Sequence, residues 1–113
     1  MRLVFAGYQL PAGFKKRPGW PTWDRKLADG SKFELAEGVA LTLGRGRDCD
    51  VVLVSNALAR RHALVVQPRR MKVVVVDLQS TNGLQINGRG AVMAFLDKGD
   101  EFLLAHCFLF RLE

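Results

Sequence analysis

The chain has little of what builds metal centres, disulfide frameworks or membrane spans. Its 113 residues contain two cysteines and two histidines. Cys49, Cys107, His62 and His106 show none of the short paired spacings that zinc sites use, so no metal and no cofactor is expected. Two isolated cysteines in a chain long enough to bury a core read as small hydrophobes, not as a disulfide framework. No apolar run approaches the roughly 18 residues of a membrane helix. The apolar stretch from Met1 to Gly7 is too short for a secretory signal. A cytoplasmic location without membrane insertion is the expectation. Sustained helical periodicity is missing as well, which argues against a helix bundle and against an α/β fold.

What remains is an ordinary folded-domain composition, 49% hydrophobic and 25% charged, at a length that fits one domain. The net charge of +6 is uneven. Residues 1–30 carry six cations (Arg2, Lys15, Lys16, Arg17, Arg25, Lys26) against Asp24 and Asp29, a net of +4, which leaves +2 for residues 31–113. Cations interleaved with Phe14, Trp20 and Trp23 suit nucleic acid or an acidic partner, because phosphates meet charge and bases stack on rings. No groove-reading helix or nucleic-acid motif accompanies them, so the expectation is a loop whose aromatics pack on the domain. Nucleic-acid contact through this arm stands third among the functional readings.

Apolar stretches of strand length, separated by glycine, asparagine and charged residues, predict strands at 2–6, 32–35, 40–43, 51–53, 63–66, 72–78, 84–86, 101–104 and 108–112. Two sheets packed face to face follow, an all-β sandwich. The run Val73 to Val76 lacks polar alternation and predicts a central strand covered on both faces, whereas 108–112 alternates and predicts a more peripheral one. Asn82-Gly83 and Asn87-Gly88 predict tight turns. Residues 7–30, with Pro11, Pro18 and Pro21, are too long and too poorly patterned for an ordinary connection and read as an insertion. The expected organisation is an N-terminal strand plus basic, aromatic-containing arm over 1–30 and a sandwich core over 31–113, one domain overall.

The residues that could carry chemistry lie on the predicted loops: Gly44-Arg45, then Ala59-Arg60-Arg61-His62, then Asp77 to Gly83, then Asn87-Gly88, with a closing Lys98-Gly99-Asp100-Glu101 turn. A dianionic phosphate needs fixed cations and directed donors, and arginine supplies both without deprotonating. Singly, each is unremarkable, since surface arginines are mostly solvated and Asn82 before Gly83 suits a turn. In this order and spacing, residues 32–113 resemble the forkhead-associated (FHA) domain family.

The resemblance implies a β-sandwich of about eleven strands in two twisted antiparallel or mixed sheets, whose loops at one end bind phosphothreonine peptides. It implies no small-molecule substrate and no catalysis. It assigns Arg45 to the phosphoamino acid, Arg60 to support of the phosphate, Thr81 to donation toward it, and Asn82 to the partner's backbone. Gly44, His62, Ser80 and Gly83 become structural supports, and Arg47, Ser55 and Arg61 peripheral candidates. The family places serine immediately before the residue matching Arg60, where this chain has Ala59. A missing hydrogen bond to a charged ligand weakens binding by roughly ten- to a hundred-fold. Leu84 also departs from the threonine that commonly follows Asn-Gly, with an expected effect on packing.

A hydrolase reading would need Ser80, His62 and Asp77 or Asp100 as a triad. No G-x-S-x-G elbow is present and Ser80 falls in a predicted turn, so no enzyme is expected. The leading readings are a phosphothreonine reader, weakened at Ala59, for a phosphothreonine-containing protein or peptide, and a phosphate-independent scaffold for an unphosphorylated partner.

Overall fold

Short runs of β-branched and aromatic residues fold as strands in the computed structural model, which describes residues 1–10, 13–15, 17–70 and 72–113. Among them are β1 (Arg2–Tyr8), β2 (Lys32–Glu34), β3 (Leu41–Gly44), β4 (Val51–Val52), β5 (Ala63–Val66), β6 (Val73–Asp77), β7 (Leu84–Ile86), β8 (Arg89–Ala91), β9 (Met93–Leu96), β10 (Glu101–Leu104) and β11 (Phe108–Leu112). They form a six-stranded sheet in the order β2-β1-β11-β10-β7-β8 and a five-stranded sheet in the order β4-β3-β5-β6-β9. All neighbours are antiparallel except β3 and β4, so the second sheet is mixed.

The inward faces of both sheets meet in one apolar core. Leu3, Phe5, Phe108, Phe110 and Leu112 from one sheet and Leu43, Val51, Ala63, Val65, Val73 and Val75 from the other are fully buried. Phe110 sits between Phe5 and Phe102, with ring centroids 5.3 and 5.4 Å away. Each such side chain contributes on the order of 1.5–3 kcal/mol by leaving water. Leu84 is part of this core, so its departure from the family pattern is a matter of packing. Cys49 and Cys107 are buried and unpaired. Burial pushes the Cys107 thiol up to about 12.

Three expectations need correction. The strand with alternating residues, β11, lies inside its sheet between β1 and β10, whereas β6 is next to the edge of the other. Alternation reports whether a sheet's outer face is wet, not where the strand lies. Leu109 and Arg111 face outward into solvent, while the outward Val74 is covered by its cross-strand neighbours Val66 and Phe95. Second, β8 and β9 are additional strands. Their sequences, Arg-Gly-Ala and Met-Ala-Phe-Leu, carry no β-branched residue, and each forms only the edge of a sheet. Third, only Asn87-Gly88 makes the two-residue hairpin turn, with φ of 52° and 76° between the paired Ile86 and Arg89. Asn82 is not left-handed, and its loop carries the chain from one sheet to the other.

Between β1 and β2 the chain runs back over the sandwich; Pro11 and Lys16 of this stretch lie outside the described residues. Trp23 meets Phe108 and Phe5 edge to face at 5.0 and 5.9 Å and stacks on Tyr8. Trp20 stacks on Phe14 at 5.6 Å and also packs against the core. Reciprocal hydrogen bonds tie this segment to the β4–β5 loop: the Thr22 amide donates to Asn56 Oδ1 and the Asn56 amide to Thr22 Oγ1.

Candidate functional site

Three loops meet at one end of the sandwich, and a glycine lets the first two touch. A Cβ on Gly44, the last residue of β3, would lie 2.3 Å from the Arg60 carbonyl oxygen. With only hydrogen there, the β3–β4 loop lies directly on the β4–β5 loop, and the amides of Arg45 and Gly46 donate to the carbonyls of Ala59 and Arg60 at 3.1 and 3.0 Å. Arg45 is held further by Nε donating to the Leu58 carbonyl at 3.0 Å. That bond leaves both terminal guanidinium nitrogens available to a ligand.

His62 ties the second loop to the third from behind. It is fully buried; Nδ1 accepts from the Ala59 amide at 3.1 Å, and Nε2 lies 2.8 Å from the Gly83 carbonyl. These partners require the neutral tautomer with the proton on Nε2. Burial accordingly lowers its pKa, against the Gly83 carbonyl and nearby Asp77, which favour the cation. The third loop is braced by Asp77, whose carboxylate accepts from the Ser80 hydroxyl and amide, while Ser80 Oγ accepts from the Gly83 amide. Ser80, His62 and Asp77 therefore form no proton relay: the serine donates to the aspartate, and the histidine's two nitrogens are taken by backbone.

The three loops and the β1–β2 segment enclose a cleft of about 590 Å³. Arg45, Arg60, Thr81 and Asn82 all line it, together with Ala59, and so do Arg17 and Trp20 from the β1–β2 segment. Asn82 donates from Nδ2 to the Ala57 carbonyl at 2.8 Å, which fixes the amide and leaves Oδ1 and the second N–H free. This side-chain bond holds Asn82 in the cleft wall, and its backbone does not take the positive φ that its place before glycine suggested.

The peripheral candidates divide. Arg47 lines an adjoining cleft with Arg45 and Arg60. Arg61 is paired with Asp48 at 2.7 Å, and this bond holds the Asp48 carboxyl below its usual range. Ser55 is buried with Oγ accepting from the Ala57 amide, and it faces a neighbouring cleft that Ala59 does not line. Among the described residues, Arg61 is the one arginine of this cluster with a carboxylate partner, so the cleft wall presents uncompensated positive charge. Arg17 and Trp20 were expected in the basic arm but not in this cleft. The signal available was Arg17-Pro18-Gly19-Trp20, whose Pro-Gly centre suits a type II turn.

The class of protein is an all-β sandwich of two sheets with arginine-bearing loops meeting at one end, and comparison with known proteins gives the family. The FHA domain family model matches residues 41–105, and the chain belongs to that family. Its fold is similar to the FHA domain of the CT664 protein from Chlamydia trachomatis, at 21% identity and a TM-score of 0.71, with 100% of this chain and 98% of that one covered. It is similar to the FhaA FHA domain, solved in complex with the intracellular domain of Rv3910, at 28% identity and a TM-score of 0.64, with 80% and 97% covered. It is also similar to an FHA domain solved in a structural and functional analysis of phosphothreonine-dependent FHA domain interactions, at 28% identity and a TM-score of 0.65, with 82% and 94% covered. No curated protein matches the chain significantly in sequence.

Proposed function

We propose that this domain binds a phosphothreonine-containing protein segment across the cleft, with Arg45 and Arg60 on the phosphate, Thr81 as an added donor, and Asn82 on the partner's backbone. The observation that carries the reading is one cleft wall holding two guanidinium groups without a carboxylate partner among the described residues, beside an immobilised amide. A phosphate dianion matches that wall in charge and donor geometry, and an extended peptide offers the backbone groups that Oδ1 and the free N–H of Asn82 can meet. Family membership and the phosphothreonine-dependent interactions studied in a relative support it. The Ala59 methyl in the same wall supplies no donor, which weakens the site without removing its charge.

The test is titration of a degenerate peptide pool with a central phosphothreonine, and of its unphosphorylated counterpart, against the parent and Arg45→Ala. Binding should require the phosphate and should be lost in Arg45→Ala. Equal binding of both pools by both proteins would favour the phosphate-independent scaffold.

A further inference from the structure

We infer that the β1–β2 segment is a fourth loop of the binding site, in which Arg17 contacts the phosphorylated ligand and stands in for the donor absent at Ala59. This inference rests on the phosphopeptide reading and adds to it a residue from outside the three family loops. Arg17 lines the same cleft as Arg45, Ala59 and Arg60, although the nearest of them lies 28 positions further along the chain.

Its placement has local causes. Residues 17–20 close a β-turn in which the Trp20 amide donates to the Arg17 carbonyl at 3.0 Å and Gly19 takes φ of 71°, the turn that Pro18-Gly19 favours. Asn56 Nδ2 donates to the Gly19 carbonyl at 2.8 Å, and the reciprocal Asn56 and Thr22 bonds fasten the following residues to the β4–β5 loop. The turn is thus anchored to the loop that also bears Ala59 and Arg60. The Arg17 guanidinium carbon lies 5.0 Å from the Trp20 ring centroid, and Trp20 is itself stacked on Phe14. A guanidinium resting on an aromatic face keeps its in-plane N–H groups available, so Trp20 orients Arg17 without consuming its donors. Trp20 is in this sense a positioning residue.

The chemistry fits the vacancy at Ala59. A serine there would add one neutral donor, whereas Arg17 adds several N–H donors and a full charge, and hydrogen bonds to charged groups are the strong ones.

The experiment uses the full chain and the two pools defined above. Arg17→Ala should lower affinity for the phosphorylated pool roughly ten-fold or more at unchanged unfolding midpoint and leave the unphosphorylated pool unaffected. Arg17→Lys should retain part of the affinity, since it keeps charge but not the planar fork. Trp20→Leu should lower affinity for the phosphorylated pool less than Arg17→Ala and should have no further effect in the Arg17→Ala background, as expected of a residue acting through Arg17. If the parent and Arg17→Ala agree within two-fold while Arg45→Ala is inactive, this inference is wrong and the phosphopeptide reading stands. If the parent itself ignores the phosphate, both fall together.

Discussion

Replacing His62 tests how the site is held. In His62→Leu the Ala59 amide and the Gly83 carbonyl lose their imidazole partners. The two losses are unequal. The Gly83 carbonyl also accepts from the Ala105 amide at 3.0 Å and stays satisfied, whereas the Ala59 amide has no alternative bond among the described residues. A fully buried orphaned donor costs about 1–3 kcal/mol, and the part-buried Ala59 amide falls toward the low end of that range; an imperfect fill of the imidazole's place adds to it, so the expected loss is about 1–3 kcal/mol. That is a substantial part of the roughly 5–15 kcal/mol of a typical domain. The pH dependence is a second readout with a definite sign. Burial depresses the folded-state pKa of His62 below its ordinary value near 6.5, so on acidification the unfolded chain takes up this proton first. Stability from this group is complete above pH about 6.5 and declines as pH falls from there toward the folded-state pKa. Urea unfolding of parent and variant between pH 7.5 and 5 measures both effects. The gap between them should be widest at pH 7.5 and should narrow toward pH 5. Parallel curves, or a loss under about 1 kcal/mol at pH 7.5, would refute the assignment of His62 as the neutral tie between the loops.

Gly44→Ala should destabilise the fold by about 3 kcal/mol or more, because its Cβ would collide with backbone oxygens at 2.3 and 2.9 Å that cannot swing aside; thermal unfolding and faster exchange of the Gly46 amide check this. Ala59→Ser should raise affinity for the phosphorylated pool by up to about ten- to a hundred-fold with no change in unfolding midpoint, measured by the same titration.

Much of the fold was legible because the strands are short and rich in β-branched or aromatic residues, as in 63–66 and 108–112, or set off by glycine and asparagine, as in 84–86, and the structure reproduces all three. β8 and β9 were not, since edge strands need less propensity than interior ones and Gly90 and Ala94 offer little of it. The resemblance to the FHA family, carried by the order and spacing of the loop motifs, implied one site for Arg45, Arg60, Thr81 and Asn82, and all four line one cleft. The part played by Asn82 was only half visible. A glycine following an asparagine signals a turn, yet its backbone is not left-handed, and what fixes the side chain is the Ala57 carbonyl 25 positions away. Arg17 and Trp20 were illegible for the same physical reason, because side-chain bonds between Thr22, Asn56 and Gly19 leave no periodic trace in sequence.

The relation between Ala59 and Arg17 also bears on how binding should respond to salt. Two unit charges 4 Å apart attract by about 1 kcal/mol in bulk water and about 4 kcal/mol at an effective dielectric of 20. That range brackets the roughly 1.5–3 kcal/mol that a hydrogen bond to a charged group contributes. An added cation is therefore of the right size to offset a missing hydroxyl, but the two contributions differ in kind. A serine donor acts at contact and is little affected by ions. The attraction of an exposed guanidinium is screened, with a Debye length falling from about 10 Å at 0.1 M to about 3 Å at 1 M. A cleft that relies on Arg17, Arg45 and Arg60 without the serine draws more of its affinity from charge than one that keeps it. Arg17 and Arg45 are both exposed, but Arg17 is held by a cation–π contact whereas Arg45 is pinned through Nε to the Leu58 carbonyl, so Arg17 is the more readily weakened of the two. Rising ionic strength should thus erode the contribution of Arg17 before that of Arg45.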